Sequence, residues 1–200
     1  MKASPRPYHH GNLRQALLSA GERAIESAGV LHLSLRELSR ELGVSHTSPR
    51  RHFADKQALL DALALHGYER LGAALARAAR DHGQPFNVRL TKVARAFVSF
   101  AIQHPAMLGL MFEAKHRADA PRELLEAGEN AFAHIFGVFT SGQATGAVVA
   151  GDPHRLALVA FAALQGLVTL STNGKFKGAS LNVLIGEVIE RIILGLRPRD

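Results

Sequence analysis

Apolar residues recur every three or four positions along most of this chain, which is the spacing of one face of an α-helix. The first such run follows Asn12, which forms a capping box with Gln15, and it stops before Gly29. Later runs predict helices at about 87–104, 105–115, 121–141, 153–172 and 181–196. No segment alternates as a strand does, so the pattern predicts an all-α protein.

The segment from Ser34 to Leu60 carries three short helical patterns in immediate succession. A capping box of Ser34 and Glu37 opens the first helix, and Gly43 ends it with the sharp turn that a left-handed residue allows. A second helix follows from His46 to Phe53, and a third begins just after it. Two short helices joined by a tight turn form a helix-turn-helix, so we predict that unit here. Leu31, Leu33 and Phe53 are expected to complete its core.

The second of these helices is polar and basic rather than apolar on one face. Hydroxyl, imidazole and guanidinium groups suit the base edges and phosphates of a DNA groove, whereas a solvated surface helix is the alternative on charge alone. The predicted DNA-contacting residues are Ser34, Arg36, Ser45, His46, Thr47, Ser48, Arg50, Arg51, His52 and Lys56.

Pro49 restricts where this second helix begins, because proline lacks a backbone N–H and is tolerated only near a helix start. A start at Ser45 gives a short glycine turn and a distorted first helical turn, and we favour it. A start at Ser48 would make Pro49 the first helical residue. In the next helix, which Asp55 caps, the first-turn residue Lys56 is expected to clamp a phosphate.

The run GVSHTSPRRHFADKQALLDAL resembles the TetR family of bacterial transcriptional regulators. Where the family usually has tyrosine and often an aliphatic residue, this chain has Arg50 and Pro49, although relatives with a segment similar to Tyr8–Gly11 also accept the proline. The resemblance covers the first sixty or so residues and implies a three-helix DNA-binding head before a helical domain with a small-molecule site. The matching residues are Gly43, Val44, Ser45, His52, Phe53, Lys56, Leu59 and Leu60.

Charge and composition agree with a nucleic-acid partner. The net charge is +7, and residues 1–80 hold 12 Lys/Arg against 7 Asp/Glu, whereas residues 81–200 hold 12 against 10. The chain has no cysteine and no signal-like apolar run at its start. Its most apolar stretch, Leu156–Leu170, is shorter than the roughly 20 residues that cross a bilayer. These features predict a cytoplasmic protein with no membrane partner.

The predicted domains are a flexible arm at residues 1–11, a helix-turn-helix domain at 12–60 with a connecting helix to about residue 80, and a helical effector-binding and dimerisation domain at 84–200. Aromatic and methionine side chains of the last domain fill a core or line an apolar pocket. The predicted ligand-binding residues are Phe97, Phe100, Met107, Met111, Phe112, Phe132, Phe136, Phe161 and Gln165.

The last two predicted helices are the most apolar of the chain. Packing against a second copy would bury a helix that is apolar nearly all the way round, whereas a monomer core is the alternative. A symmetric dimer would also supply paired reading heads for a palindromic DNA site. The predicted interface residues are Leu156, Ala160, Ala163, Gly166, Leu181, Ile185, Ile189 and Ile192.

We therefore predict a homodimeric TetR-like transcriptional repressor that a small apolar or amphipathic effector releases from a double-stranded DNA operator. A helical DNA-binding architectural protein without a ligand is the second hypothesis. An enzyme is the third hypothesis. It ranks last because the sequence has no phosphate-cradling glycine motif, nucleophile elbow or metal-spaced His/Glu helix. We expect no catalytic site, no cofactor and no metal, since His9 and His10 lack further ligands at helical spacing.

Overall fold

The computed structural model of the protein describes residues 13–172 and 180–198. Within them the chain has no strand and forms two 3₁₀ turns, Val30–His32 and Pro49–Arg51, and eight α-helices. The helices are α1 (Leu13–Ala28), α2 (Leu35–Glu41), α3 (Lys56–Ala79), α4 (Phe86–Gln103), α5 (Pro105–Lys115), α6 (Arg122–Ala144), α7 (Pro153–Thr172) and α8 (Leu181–Leu196). The all-α prediction is confirmed. The predicted arm and the cap at Asn12 lie outside the described residues.

The chain forms two compact units, and each combines two separate stretches of sequence. The first unit holds Met1–Gly67 and Ala106–Leu124, and the second holds Tyr68–Pro105 and Leu125–Asp200. The division therefore falls inside α3, and α5 belongs to the first unit although it follows α4 along the chain. No pattern in the sequence groups α5 with the N-terminal helices.

The core of the first unit forms where α2 and the two 3₁₀ turns lie around α1. Leu33 and Phe53 are each only 3% exposed, so their prediction as core residues is confirmed. The same prediction is wrong for Leu31, which is 88% exposed. The tight 3₁₀ turn at Val30–His32 directs neighbouring side chains to different sides, so of the two leucines only Leu33 faces inward.

The side chain of Glu26 on α1 caps the N-terminus of α5. Its two carboxylate oxygens accept hydrogen bonds from the backbone N–H groups of Ala106 at 3.2 Å and Met107 at 3.0 Å. The first N–H groups of a helix have no partner within the helix, and a negative charge there is favourable. Met107 and Met111 are fully buried, and a Cβ added to Gly67 of α3 would lie 2.7 Å from the Met111 sulfur.

Arg117 holds the segment that follows α5. Its guanidinium donates to both carboxylate oxygens of Asp61 on α3, at 2.7 and 3.1 Å, and its Nε donates to Asp119 at 2.5 Å. These hydrogen bonds, first of all the one with Asp61, raise the pKa of Arg117 above its usual value, and the bond from Arg117 lowers the pKa of Asp119. Bidentate charged hydrogen bonds are among the strongest of such contacts. Within the first unit, α5 is therefore bound to α1 at its start, through Glu26, and to α3 just after its end, through Arg117.

The second unit packs α4 against α7 and α8 around a cluster of aromatic rings. The ring of Phe161 lies 5.2 Å from that of Phe97 and 5.5 Å from that of Phe132, in tilted and edge-on arrangements that aromatic pairs favour. Burial raises the pKa of Tyr68 on α3 to about 12, so this core phenol stays neutral at physiological pH.

Among the described residues of this second unit, one charged side chain is buried. Arg89 of α4 is 5% exposed and donates to the Ser141 hydroxyl of α6 at 2.6 Å, and its second terminal nitrogen lies 3.5 Å from the Ala79 carbonyl. Ala79 ends α3, so the guanidinium lies at the negative end of that helix dipole. Arg89 thereby joins the end of α3 to α4 and α6.

α7 and α8 combine a buried face with an exposed apolar one. Ala160, Ile185 and Ile189, three of the predicted dimer-interface residues, are 3%, 6% and 2% exposed, so the single chain already covers most of their surface. Other apolar side chains of these helices face outward instead. They are Leu158 at 63%, Val159 at 71%, Leu170 at 46%, Val183 at 57% and Leu194 at 45% exposed.

α7 is longer than its most apolar stretch suggests. The whole helix Pro153–Thr172 has 20 residues and is, by length and composition alone, long and apolar enough to cross a bilayer, which the Leu156–Leu170 stretch considered by itself did not indicate. The helix extends beyond Leu156–Leu170 at both ends. The core helix of a soluble protein meets the same criterion, and α7 contacts α4 and α8 here.

Two glycines of α6 give a matched test of packing in the second unit. A Cβ at Gly142 would lie 2.6 Å from Val148 and 2.7 Å from the Phe86 ring, whereas one at Gly137 would meet nothing within 4 Å. We expect Gly142→Ala to lower the free energy of unfolding by about 1–3 kcal/mol through overpacking. Gly137→Ala should raise it by up to about 1 kcal/mol through helix propensity. Urea unfolding followed by circular dichroism measures both, and equal effects would contradict the close packing at Gly142.

Candidate nucleic-acid interface

The turn after α2 has the geometry that requires a glycine. Gly43 has a φ of 65°, in the left-handed region. Its N–H donates to the Arg40 carbonyl at 3.2 Å, and the N–H of Val44 donates to the Ser39 carbonyl at 3.0 Å. This pair of bonds is a Schellman motif, which satisfies the last carbonyls of α2 and reverses the chain within two residues. The predicted glycine turn is confirmed.

The start of α2 differs from the predicted capping box. Ser34 occupies the cap position with an extended backbone, but its hydroxyl makes no capping hydrogen bond. The first bond of the helix runs from the Leu38 N–H to the Ser34 carbonyl at 3.0 Å. Arg36 and Glu37 are exposed, so water can satisfy the free N–H groups of this first turn without a side-chain cap.

The predicted recognition helix at His46–Phe53 is not a regular α-helix. Residues 46–48 form a turn, and only Pro49–Arg51 is regular, as a 3₁₀ turn. An α-helix that starts at Ser45 needs the N–H of Pro49 to bond the Ser45 carbonyl, and proline has none. The Ser48 N–H takes that carbonyl instead, at 3.0 Å, so a helical turn does begin at the favoured Ser45. The regular geometry begins only at Pro49, as the alternative start required.

This recognition segment, residues 45–52, has a buried side and an exposed side. Pro49 is buried, as is Phe53 just after it, and the N–H of Phe53 donates to the Pro49 carbonyl at 2.9 Å. The Ser45 hydroxyl lies 2.8 Å from that of Thr47 and 3.1 Å from that of Ser48. The exposed side chains are those of Ser45, His46, Thr47, Arg50, Arg51 and His52.

The start of α3 lies next to this segment, and its cap is confirmed. The Asp55 carboxylate accepts the N–H of Ala58 at 2.8 Å. Lys56 is half-buried, and its ammonium donates to the Leu31 carbonyl at 2.9 Å, a contact that the sequence did not indicate. An ammonium has three N–H donors, so this bond leaves two for a phosphate. The phosphate role of Lys56 stays a prediction.

Sequence reasoning missed one basic residue beside the recognition segment. Arg14 lies in the first turn of α1, is exposed, and places its guanidinium 5.6 Å from the centre of the Phe53 ring. The contact is a cation–π interaction, which positions the charge at the end of the segment. Arg14 precedes the buried Leu17 and Leu18 by three and four residues, which is the same helix face, so helical spacing gave no sign that its guanidinium is exposed.

The nine predicted ligand-binding residues are divided between the two units. Met107, Met111 and Phe112 lie in the first, and Phe97, Phe100, Phe132, Phe136, Phe161 and Gln165 lie in the second. An apolar cavity of about 20 Å³ opens in the second unit between α4, α6 and α7, and Phe97 and Phe161 line it. The amide oxygen of Gln165 is buried and has no hydrogen-bond partner in the described part of the chain.

These features define a class of protein. A helix-turn-helix head results from the glycine turn after a short helix and the exposed basic segment that Pro49 and Phe53 anchor. Its exposed hydroxyl, imidazole and guanidinium groups fit the edges of DNA bases and the phosphate backbone. The protein is a DNA-binding helix-turn-helix regulator. Comparison with known sequences places it in a particular family.

Residues 17–63 match the family described as bacterial regulatory proteins of the tetR family, and residues 90–195 match the tetracyclin repressor-like C-terminal domain. The second of these matches alone spans more than half of the chain. The protein belongs to the TetR family of bacterial transcriptional regulators, whose members bind DNA operators and usually dimerise.

Solved structures share this fold. A protein of unknown function from Rhodococcus sp. RHA1 is 42% identical, with a TM-score of 0.90 over 97% of this chain and 100% of that chain. A TetR family protein from Vibrio parahaemolyticus shares the fold at 22% identity, with a TM-score of 0.75 over 93% of this chain and 99% of that chain. No curated protein sequence matches the chain.

The two helix caps of the head give a matched test of its stability. Asp55 makes a capping hydrogen bond and Ser34 makes none. We expect Asp55→Ala to lower the free energy of unfolding by about 1 kcal/mol. Ser34→Ala should change it by less than about 0.5 kcal/mol. Thermal or urea unfolding compares the variants, and a larger loss in Ser34→Ala would show that its hydroxyl does cap α2.

Proposed function

We propose that this TetR family regulator is a homodimeric, cytoplasmic repressor that binds a palindromic operator and leaves it when a small apolar or amphipathic molecule binds to the second unit. The observation that carries the proposal is the exposed apolar surface of α7 and α8 in a chain that also has a DNA-reading head. Monomeric soluble proteins rarely expose a contiguous apolar surface of this kind, and such surfaces mark association sites.

A second copy of the chain fits this surface better than another partner would. A groove of about 870 Å³ runs between α7 and α8, with the exposed Val159 and Ala163 on one wall. Glu187, Glu190 and Arg191 stand on the other wall, so both signs of charge occur on one patch. In a two-fold interface the same patch meets itself, and a patch with both charges can be its own complement.

Close approach of two copies also has a structural basis in α7. Gly166 is exposed, and a Cβ added to it would meet nothing within 4 Å. Together with the exposed Ala163 one turn earlier, it leaves a shallow surface on which a second helix can lie near the backbone. Leu156 and Leu181, also predicted at the interface, are half-buried in the single chain and keep surface to offer.

The dimer would present two recognition segments to one DNA site. Half-sites one helical turn apart are read by heads that a two-fold axis relates. In each head Arg50 and Arg51 are exposed and adjacent, and a guanidinium can pair with both acceptors of a guanine or grip a phosphate. We assign the guanine role to one of these two arginines and adjacent contacts to His46 and Thr47.

The effector part of the proposal rests on the interior of the second unit. The buried amide oxygen of Gln165 has no donor, and an unpaired buried acceptor costs about 1–3 kcal/mol. A ligand with a hydrogen-bond donor would satisfy this oxygen. The apolar cavity that Phe97 and Phe161 line in the same unit is about 20 Å³, enough for a water molecule, so an effector must displace side chains of this interior.

The small cavity favours a second candidate, a DNA-binding architectural protein without a ligand. Selection of bound fragments from the source genome, followed by sequencing, separates the two. A repressor should enrich a few sites that contain one inverted repeat, whereas an architectural protein should enrich many sites with a shared shape or base composition. The genes beside the enriched sites would then indicate the chemical class of the effector.

The recognition arginines generate a test of readout. We expect Arg50→Ala or Arg51→Ala to cost about 1–3 kcal/mol of operator affinity and to relax the preference at one base pair in each half-site. Lys56→Ala is the comparison variant, because losing a phosphate contact should weaken binding to all DNA sequences alike. It should also reduce, by about one, the slope of the logarithm of the binding constant against the logarithm of the salt concentration. Binding across a library of single-base operator variants measures all three.

An even loss of affinity in both arginine variants would show that the pair holds only the backbone. Specificity would then have to come from His46, Thr47, Ser48 or the N-terminal arm.

The dimer surface is tested with two exposed apolar residues. Val159→Glu places a charge on the exposed apolar surface of α7 and should give a folded monomer, because an unpaired charge in an interface costs several kcal/mol. Leu31→Glu changes a side chain that is more exposed but lies in the first unit, and it should leave the dimer intact. Sedimentation velocity gives the mass and circular dichroism the helix content. A dimeric Val159→Glu protein would remove α7 from the interface.

A further inference from the structure

A groove in the second unit lies between the C-terminal halves of α3 and α4, on side chains that the DNA-binding and dimer surfaces do not use. It has a volume of about 370 Å³, within the range of small-molecule sites. Arg70 and Arg77 of α3 line one wall and His104 lines the other, and none of the lining residues is acidic. The groove is therefore positively charged.

The two arginines differ in what they already bind. The Arg70 guanidinium lies 2.9 Å from the His104 ring nitrogen Nε2 and 6.0 Å from the centre of the Phe100 ring. Arg77 is exposed, and within residues 13–172 and 180–198 the structure gives its guanidinium no hydrogen bond or ion pair. Arginine stays charged at every physiological pH. Arg77 is thus the charge that a ligand in the groove can neutralise.

The other end of the groove is flat and aromatic. An arginine only donates hydrogen bonds, so the Nε2 of His104 accepts from Arg70 and the ring of a neutral His104 carries its proton on Nδ1. The His104 and Phe100 rings lie 5.2 Å apart, and Phe100 faces the groove. Ala74 and the other small side chains between the two ends leave room above the helix surface.

We propose that this groove binds an organic carboxylate with a flat apolar body. The carboxylate pairs with the guanidinium of Arg77, and the apolar body lies over Ala74 against the ring of Phe100. Arg70 and Arg77 are seven residues apart, which is about 10 Å along a helix and matches a ligand of one or two fused rings. The site is separate from the interior cavity at Phe161, so it stands whether or not that cavity binds an effector.

The groove also ends at a junction of the fold. His104 caps α4, with its N–H bonded to the Phe100 carbonyl at 2.9 Å, and the next residue begins α5. A ligand packed against Phe100 and His104 would hold the α4 end in one geometry.

Isothermal titration of the DNA-free protein with two matched probes tests the proposal. We expect naphthalene-2-carboxylate to bind at least tenfold more tightly than its neutral amide, and inorganic phosphate to bind no better than the amide. Arg77→Gln should lower carboxylate affinity about tenfold and leave the amide unchanged. Arg95→Gln removes an exposed charge of α4 that does not line the groove, and it should bind as the unaltered protein does.

A second variant tests the apolar half of the site. Ala74→Leu fills the groove over which the ring system lies, so both naphthalene probes should lose affinity, while Ala133→Leu on the exposed face of α6 should have no effect. The proposal is overturned if neither naphthalene probe binds, if the carboxylate and amide bind equally, or if the Arg77→Gln and Arg95→Gln proteins lose the same affinity. Operator binding is not part of this assay, so its outcome is independent of the proposed repressor function.

Discussion

The contact between Glu26 and the start of α5 determines which helices make up the DNA-reading unit. A helix start has free N–H groups that must find acceptors, and here both oxygens of one carboxylate supply them from α1. The bidentate pair of Arg117 with Asp61 repeats this attachment after α5 ends. Between these two polar contacts, Met107 and Met111 pack on Gly67. Among the described residues the head therefore contains α1, α2, the first half of α3 and α5, and α5 comes from the middle of the chain.

Pro49 sets the second constraint, and it acts on the surface that meets DNA. A missing N–H prevents the α-helical bond to Ser45, so the segment winds more tightly as a 3₁₀ turn. The ring of Pro49 is buried, and Phe53 four residues later is buried on the same side. The residues between them are turned outward as a consequence. A substitution that looks unfavourable for a helix thus fixes which side chains are presented.

Much of the fold could be predicted from the sequence, because helix starts, stops and apolar spacing are local signals. The Gly43 turn, the Asp55 cap and the limits of α5, α7 and α8 all follow from residues within a few positions. Side-chain destinations were harder to predict. Ile185 and Ile189 have the same apolar character as Val159, yet they are buried within one chain, and only the packing of α8 on its neighbours decides this. Glu26 forms contacts across 80 and 81 positions and Arg117 across 56, where local spacing carries no signal.

The discontinuous make-up of the first unit has a consequence for how such a regulator can be altered. A fragment that ends within α3 would lack residues 106–124, leaving the Glu26 carboxylate without its partners and the surface around Gly67 uncovered. The reading head is thus not a module that recombination can exchange by a single crossover. A chimera with another effector domain must carry α5 together with the N-terminal helices, so the α4–α5 and α5–α6 connections become the natural points of fusion.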